Sequence, residues 1–289
     1  MIKKYIRAIL FFPLYLLNRL LVIYSKTICW FDPGGFECKL EELYQNQIDL
    51  KINKKRDYRN LGYKPKLHSK NKDLTLYVPN KISNYRADTL YSKEKDTISW
   101  IDKFGGEKKI FFDIGSNIGL YSLYCSMLHK NKVFAFEPQY NNIVLFEKNI
   151  QINKLEEFIS IIPNPIYNKN KLDFLLSSSN NLSGSASSTF IKEENIKSYT
   201  YKKRLTLSFA IDFLVEKLLI PKPNMIKIDV DGNEIDVIKG AIKTINSRDC
   251  KTILIESFNP KTDKYVKSIL RKQFDLYSDS GINKIYIKR

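Results

Sequence analysis

Cysteine and histidine are scarce in this chain. Its 289 residues hold four cysteines and two histidines. Cys29, Cys38, Cys125 and Cys250 form no CxxC pair, and neither His68 nor His129 has a partner at metal-ligand spacing. This argues against a zinc site and for a reducing compartment. Cys125 and Cys250 sit in apolar or helical stretches and read as core thiols. His129 falls at the expected end of a helix and reads as a solvated cap. No Arg-rich run and no basic stretch interleaved with aromatics marks a nucleic-acid motif, and nucleic acid is disfavoured as substrate. No internal repeat is present.

The composition supports a full core, with 43% hydrophobic residues and a length that accommodates one α/β domain plus an N-terminal extension. The formal net charge is +17, carried mostly by dispersed lysines. A basic surface favours anionic partners such as an acidic glycan or a membrane surface.

Two short segments carry most of the information. The first is Phe111-Phe112-Asp113-Ile114-Gly115-Ser116-Asn117-Ile118-Gly119. Lys109 to Asp113 reads as a buried strand, and Leu120, Leu123 and Met127 then recur at helical spacing. Gly115 and Gly119 let the turn adopt positive φ and let a ligand approach closely. The helix that follows offers unpaired N–H groups to an anion. The spacing is G-x-N-x-G rather than the G-x-G-x-x-G that cradles a pyrophosphate. Asp113 would repel a dinucleotide's phosphates, so a ligand with an amine fits better, and S-adenosylmethionine is one. The next strand, Lys132 to Phe136, ends at Glu137, where an acid is placed to accept bonds from ribose hydroxyls. The blander alternative makes Asp113 a turn cap and Glu137 a helix cap.

The second segment is Met225-Ile226-Lys227-Ile228-Asp229-Val230-Asp231-Gly232-Asn233-Glu234. It is another buried strand ending in an acid and a glycine. Ile235, Ile238, Ile242 and Ile245 then form a helical stripe. Two strands ending this way, each followed by a helix, predict a doubly wound, mostly parallel α/β sheet with a ligand crevice at the strands' carboxyl ends.

The stretches FFDIGSNIG (111–119), FAFEPQYNNIVLFEKNIQIN (134–153) and MIKIDVDGNEIDVIKGA (225–241) resemble the FkbM family of S-adenosylmethionine-dependent methyltransferases. The last is the most specific and resembles the family's IKIDVEGxExxVLxGA signature, with Asp231 where glutamate is usual. The resemblance spans roughly 85–260. It implies a class I methyltransferase (Rossmann-like) fold, S-adenosylmethionine as methyl donor, and a hydroxyl acceptor on a sugar, glycolipid or surface polysaccharide. Carried over by position, Asp113, Gly115, Ser116, Asn117 and Gly119 line the donor's amino-acid end, and Glu137 binds its ribose. Two stretches depart from the family pattern: Ile162 to Tyr167, near the expected adenine contacts, and Leu205 to Asp212, before the fourth strand.

Methyl transfer is an in-line attack, so positioning supplies most of the rate, roughly 7–11 kcal/mol. A hydroxyl acceptor must also lose its proton, and a nearby carboxylate assists by about 10²–10⁴-fold. Asp229 and Asp231 are the candidate catalytic residues. Glu234 reads equally as a first-turn acid complementing the helix dipole. Asp229, Asp231 and Glu256 carry hard oxygens that suit Mg²⁺, but scattered carboxylates are weak evidence and no metal ligand is assigned.

Residues 5–24 are strongly apolar, with Lys4, Arg7, Tyr15, Asn18 and Lys26 near one helical face and Pro13 within. The pattern predicts a hydrophobic helix over residues 1–26, lying in a membrane interface on the cytoplasmic side. A spanning anchor or a packed, dimer-forming helix in a cytoplasmic protein are the alternatives. An extension over 27–92 and a methyltransferase domain over 93–289 complete the expected organisation. Within these, Leu74 to Val78 reads as a strand and Lys93 to Phe104 as a helix. Ser177 to Thr189 reads as a flexible loop over the acceptor side. The last residues, from Phe274 to Lys288, read as an antiparallel hairpin. Two other functions compete. A nicotinamide-dependent oxidoreductase is disfavoured by Asp113, by the glycine spacing and by the lack of a Tyr-x-x-x-Lys pair. A non-catalytic membrane-attached scaffold is disfavoured by intact Asp113, Gly115, Glu137 and Asp229.

Overall fold

A computed structural model describes residues 74–178, 182–186, 189–191, 201–217 and 220–289. The expected N-terminal helix, Cys29, Cys38 and His68 lie outside these residues. No helix among the described residues is long and apolar enough to cross a membrane.

The core is a seven-stranded sheet. Its strands are β1 (Ile110–Ile114), β2 (Lys132–Phe136), β3 (Ile159–Ile162), β7 (Met225–Ile228), β8 (Thr252–Glu256), β9 (Phe274–Asp279) and β10 (Asn283–Lys288). The spatial order is β3-β2-β1-β7-β8-β10-β9. The neighbours from β3 to β8 are parallel, and β10 pairs antiparallel with both β8 and β9. This is the expected class I methyltransferase sheet with its terminal hairpin. Strand order reverses between β1 and β7, and that switch point opens a crevice at their carboxyl ends.

Strands β7 and β8 are almost wholly buried, which is why they read as continuous apolar runs. Alternate residues feed two cores. Phe111 and Met225, register partners, join Trp100 and Ile101 of α2 (Lys95–Phe104), Leu123 of α3 (Leu120–His129) and Leu145 of α4 (Tyr140–Asn153). Phe112 and Ile226, the next pair, join Leu214 of α5 (Ile211–Lys217), Val237 of α6 (Glu234–Lys239), Ile245 of α7 (Ile242–Asn246) and Val266 of α8 (Pro260–Leu270). Cys125 and Cys250 are buried in these cores, and burial pushes each thiol up to about 12.

Several expectations need correction. Leu74 to Val78 is extended but has only an isolated bridge at Leu76. Leu74, Leu76 and Val78 are buried as the alternation requires. Side-chain amides of α4 replace the ladder: Asn153 bonds both the N–H and the C=O of Thr75, at 2.9 and 2.7 Å, and Asn149 accepts from Tyr77 N at 2.7 Å. Leu74 and the α1 (Lys81–Thr89) residue Ala87 share a core with Phe111. The stripe from Ile235 to Ile245 breaks at Gly240, where a Cβ would lie 2.2 Å from Tyr167 O. His129 is half-buried, with Nε2 3.1 Å from Ile101 O, instead of solvated.

One element was not foreseen. β4 (Lys171–Ser178), β5 (Thr189–Ile191) and β6 (Tyr201–Ser208) form a separate antiparallel sheet in the order β5-β4-β6. It joins the main body through Ile166 and Phe209 and through an Arg204 bond to Pro138 O.

Candidate active site

The turn after β1 brings two strand ends together. Gly115 has φ +84, and a Cβ there would lie 1.8 Å from Asp229 O, so only glycine lets β1 and β7 converge this closely. Gly115 N and Ser116 N donate to Phe136 O, at 2.9 and 3.2 Å, which ties the turn to β2. Asn117 holds positive φ, a conformation Asn tolerates better than most residues.

Glu137 closes this arrangement. Its Oε2 accepts from Asn117 N at 2.8 Å. Its Oε1 accepts from Gln139 N at 2.8 Å and from Asn142 Nδ2 at 3.4 Å. Burial pushes the Glu137 carboxyl up to about 7 against those bonds. Glu137 caps the chain entering α4, and it also lines a crevice at the strands' carboxyl ends.

Gly115, Asn117, Asp229 and Asp231 line the same crevice, with Phe136, Pro165 and Ile166 as apolar surface. The departing stretch from Ile162 to Tyr167 thus still supplies the wall. Leu175 and Phe190 of the small sheet complete it. The loop over 182–186 is pinned against the β1 turn and α4. Asn117 Nδ2 donates to Ser185 O at 2.9 Å, Gly184 N donates to Asn142 Oδ1 at 2.8 Å, and Arg86 Nε donates to Gly184 O.

Asp113 stands behind the turn rather than in the crevice lining. It is 0% exposed, its Oδ2 accepts from Ser122 Oγ at 2.6 Å, and its Oδ1 has no hydrogen-bond partner among the described residues. Its register partner on β7 is Lys227, itself 1% exposed. Lys227 Nζ donates to Asp229 Oδ2 at 2.6 Å and lies 5.2 Å from the Tyr121 ring centroid. Burial raises the Asp113 carboxyl more than Lys227 lowers it. Burial would pull the Lys227 ammonium down, but the charges of Asp229, Asp113 and Glu94 together push it up. The sequence reading passed over Lys227, although a lone lysine inside an apolar strand is a signal of a buried ion pair.

Beyond β7 and β8 lies a further cavity of about 480 Å³, lined by Asp229, Asp231, Glu234, Glu256 and Phe258. Asp229 and Asp231 therefore face both spaces. Glu234 turns inward, and its Oε1 accepts from Gly232 N at 3.0 Å, so its first-turn structural role is realised. Burial, then the neighbouring Asp229 charge, pushes the Glu256 carboxyl up to about 7. Glu94, Asp229 and Glu256 each offer an oxygen within 4.8 Å of the others. Lys227 already supplies a positive charge to this trio, and Asp231 of the expected hard-oxygen set is not in it.

The methyltransferase FkbM domain model matches residues 113–276. The chain belongs to the FkbM methyltransferase family. Among curated proteins, the hexuronic acid methyltransferase AglP of Haloferax volcanii is 30% identical over 154 residues, covering 53% of this chain and 59% of that protein. The chain thus matches less than two thirds of that relative's length. Among solved structures, methyltransferase FkbM from Methylobacillus flagellatus KT aligns at 16% identity and TM-score 0.42, covering 71% of this chain and 55% of that one. A precorrin-6y C5,15-methyltransferase from Geobacter metallireducens GS-15 aligns at 12% identity and TM-score 0.42, covering 68% and 89%. The FkbM match begins at Asp113, so α1, α2 and the Arg86 that reaches the crevice lie before it.

Proposed function

We propose that this FkbM protein is an S-adenosylmethionine-dependent methyltransferase acting on a hydroxyl of a sugar, glycolipid or surface polysaccharide, with a hexuronic-acid glycan as the first candidate acceptor. The observation that carries the reading is that Asp229 lines both the crevice beside Glu137 and the cavity beside Glu256. A donor and an acceptor held in those two spaces meet at one carboxylate.

The residues fit such a donor. Glu137 Oε2, with one protein bond, keeps lone-pair capacity for a ribose hydroxyl, while Oε1 already accepts two. Phe136, Pro165 and Ile166 offer apolar surface for a flat base. When bound, S-adenosylmethionine supplies an activated methyl group. The protein's own part is to orient and to accept a proton. Asp229, fixed by Lys227, orients the acceptor hydroxyl. Glu256, near 7, and Asp231 are the groups placed to take the hydroxyl proton at neutral pH. The chain's charge of +17 favours an anionic glycan, and the relative AglP is named for a hexuronic acid substrate. The apolar stretch 5–24 supports work at the inner face of a membrane; failure of the full chain to sediment with anionic vesicles at low salt would remove that part.

Calorimetric titration of the full chain with S-adenosylhomocysteine, S-adenosylmethionine and NADH tests the donor. Micromolar binding of both sulfur ligands and none of NADH is expected. NADH binding would favour the oxidoreductase, and binding of none would favour the scaffold. Transfer of label from methyl-labelled donor to uronic-acid glycosides then tests the acceptor.

A further inference from the structure

Phe258 stands out where a phenylalanine ordinarily goes in. It is 75% exposed, the most exposed large apolar side chain among the described residues, while its neighbour Ser257 is only 4% exposed. That inverts the usual placement of the two side chains. Polar contacts on either side hold the inversion. Ser257 N donates to Ile282 O at 3.0 Å, and Asn259 N donates to Ser257 Oγ at 3.3 Å. Asn259 Oδ1 in turn accepts from Lys261 N at 2.9 Å as the cap of α8. Phe258 is thus fixed between the end of β8 and the start of α8, and it lines the cavity beside Glu256.

The rest of that lining is rich in acceptors. Asp229, Asp231, Glu234 and Glu256 all contribute to it, and no lysine or arginine among the described residues does. Lys227 offsets one of these charges, that of Asp229. The Asp229 charge already helps to push the Glu256 carboxyl up to about 7, so a further negative group is unwelcome there. Carboxylates do accept from hydroxyls. The negative face of an aromatic ring attracts the C–H groups that a pyranose presents on one side. We propose that Phe258 is an acceptor-binding residue that stacks on the C–H face of a sugar ring, with the ring's uncharged hydroxyl edge against Asp231 and Glu256. The inference rests on the proposed glycan acceptor and adds how its ring is held. In an acidic glycan the uronate carboxylate then points out of this cavity.

The test measures methyl transfer from labelled donor by the full-length protein to methyl glycosides of glucose, galactose and mannose, of their uronic acids and of the matching 2-amino sugars. Phe258→Ala should raise KM for the preferred sugar about 5- to 50-fold, the loss of one stacked aromatic face. Phe258→Tyr should restore it. S-adenosylhomocysteine affinity should stay as in the wild type, and removal of so exposed a side chain leaves the fold intact. Esterifying the uronate, which removes its charge, should leave KM unchanged or lower it. An unchanged KM in Phe258→Ala, or a loss confined to kcat, would overturn the proposal, because stacking acts on binding. A KM raised about tenfold or more by esterification would overturn it too, since a cation would then hold the carboxylate inside the cavity. So would a preference of about tenfold or more for the amino sugars over the neutral ones, which would make the cavity an ammonium site. Wild-type protein that binds S-adenosylhomocysteine yet methylates none of these sugars would overturn the glycan acceptor and this proposal with it, and leave the donor reading intact. Failure to bind S-adenosylhomocysteine would sink the donor reading itself.

Discussion

Replacing Lys227 by Met is the sharpest probe of the site's electrostatics. Methionine has a similar length and no charge, so packing against Tyr121 and Leu254 is largely kept. What is lost is the Lys227 ammonium, which interacts with both Asp113 and Asp229. Asp229 is 32% exposed in its side chain and recovers solvation. Asp113 is 0% exposed and keeps only Ser122, at 2.6 Å. Breaking a buried pair this way costs about 3–5 kcal/mol, a large part of a typical folding free energy of about 5–15 kcal/mol. The size must depend on pH. Without Lys227, Asp113 escapes ionisation by holding its proton, so its folded value rises further above the unfolded one. A raised folded value means stability that is present at low pH and lost as pH rises, with a limiting slope of about 1.4 kcal/mol per pH unit. Urea unfolding of wild type and Lys227→Met at pH 5 and pH 8 should show the larger deficit at pH 8. Adding Asp113→Asn to Lys227→Met should recover about 2 kcal/mol or more at pH 8, a coupling that distant sites do not show. A deficit below about 1 kcal/mol at pH 8, or one equal at both pH values, would refute the buried charge relation.

Other expectations concern the turn, Glu137 and the N-terminal strap. Gly115→Ala should lower stability by more than about 2 kcal/mol in thermal melts, since positive φ costs a side chain about 1–2 kcal/mol before the contact with Asp229 O is counted. In the ligand-free protein, Glu137 stabilises the fold at pH values below 4.5, and that contribution is lost as pH rises through about 7. The loss is about 3 kcal/mol, and the difference between wild type and Glu137→Gln across pH 4.5 to 8 isolates it. Donor binding should run the other way: S-adenosylhomocysteine affinity should fall as pH drops below about 7, because only the ionised carboxylate accepts on both oxygens. Asn153→Ala should speed hydrogen exchange at the Thr75 amide about 10- to 100-fold, since it removes the side chain that pairs both Thr75 backbone groups.

Much of the fold was legible because its signals are short-range. A buried strand, a glycine turn and a helical period sit side by side in 110–129 and again in 225–245. Resemblance to the FkbM signature added the activity and the donor, neither of which periodicity carries. The small β5-β4-β6 sheet escaped notice because Lys171 to Ser178 alternates weakly and its partner strand β6 lies far along the chain. The strap at Leu74 to Val78 showed the right burial but the wrong partner. Alternation reports which side chains go inside, and says nothing of whether a strand or an asparagine pair receives the backbone.

The sequence alone determined that Asp113 and Asp229 stand at strand ends just before glycine turns and that Glu137 follows a third strand, since strand length and turn chemistry are local. Tertiary structure decided which of them line the crevice. Parallel register sets Asp113 opposite Lys227 on one buried face, where desolvation makes it a counter-charge. Glu137 and Asp229 fall just beyond the carboxyl ends of β2 and β7, where both line the crevice. Arg86 and Glu94 join the site only because the chain folds back across the β1 turn, and no spacing along the sequence encodes that approach.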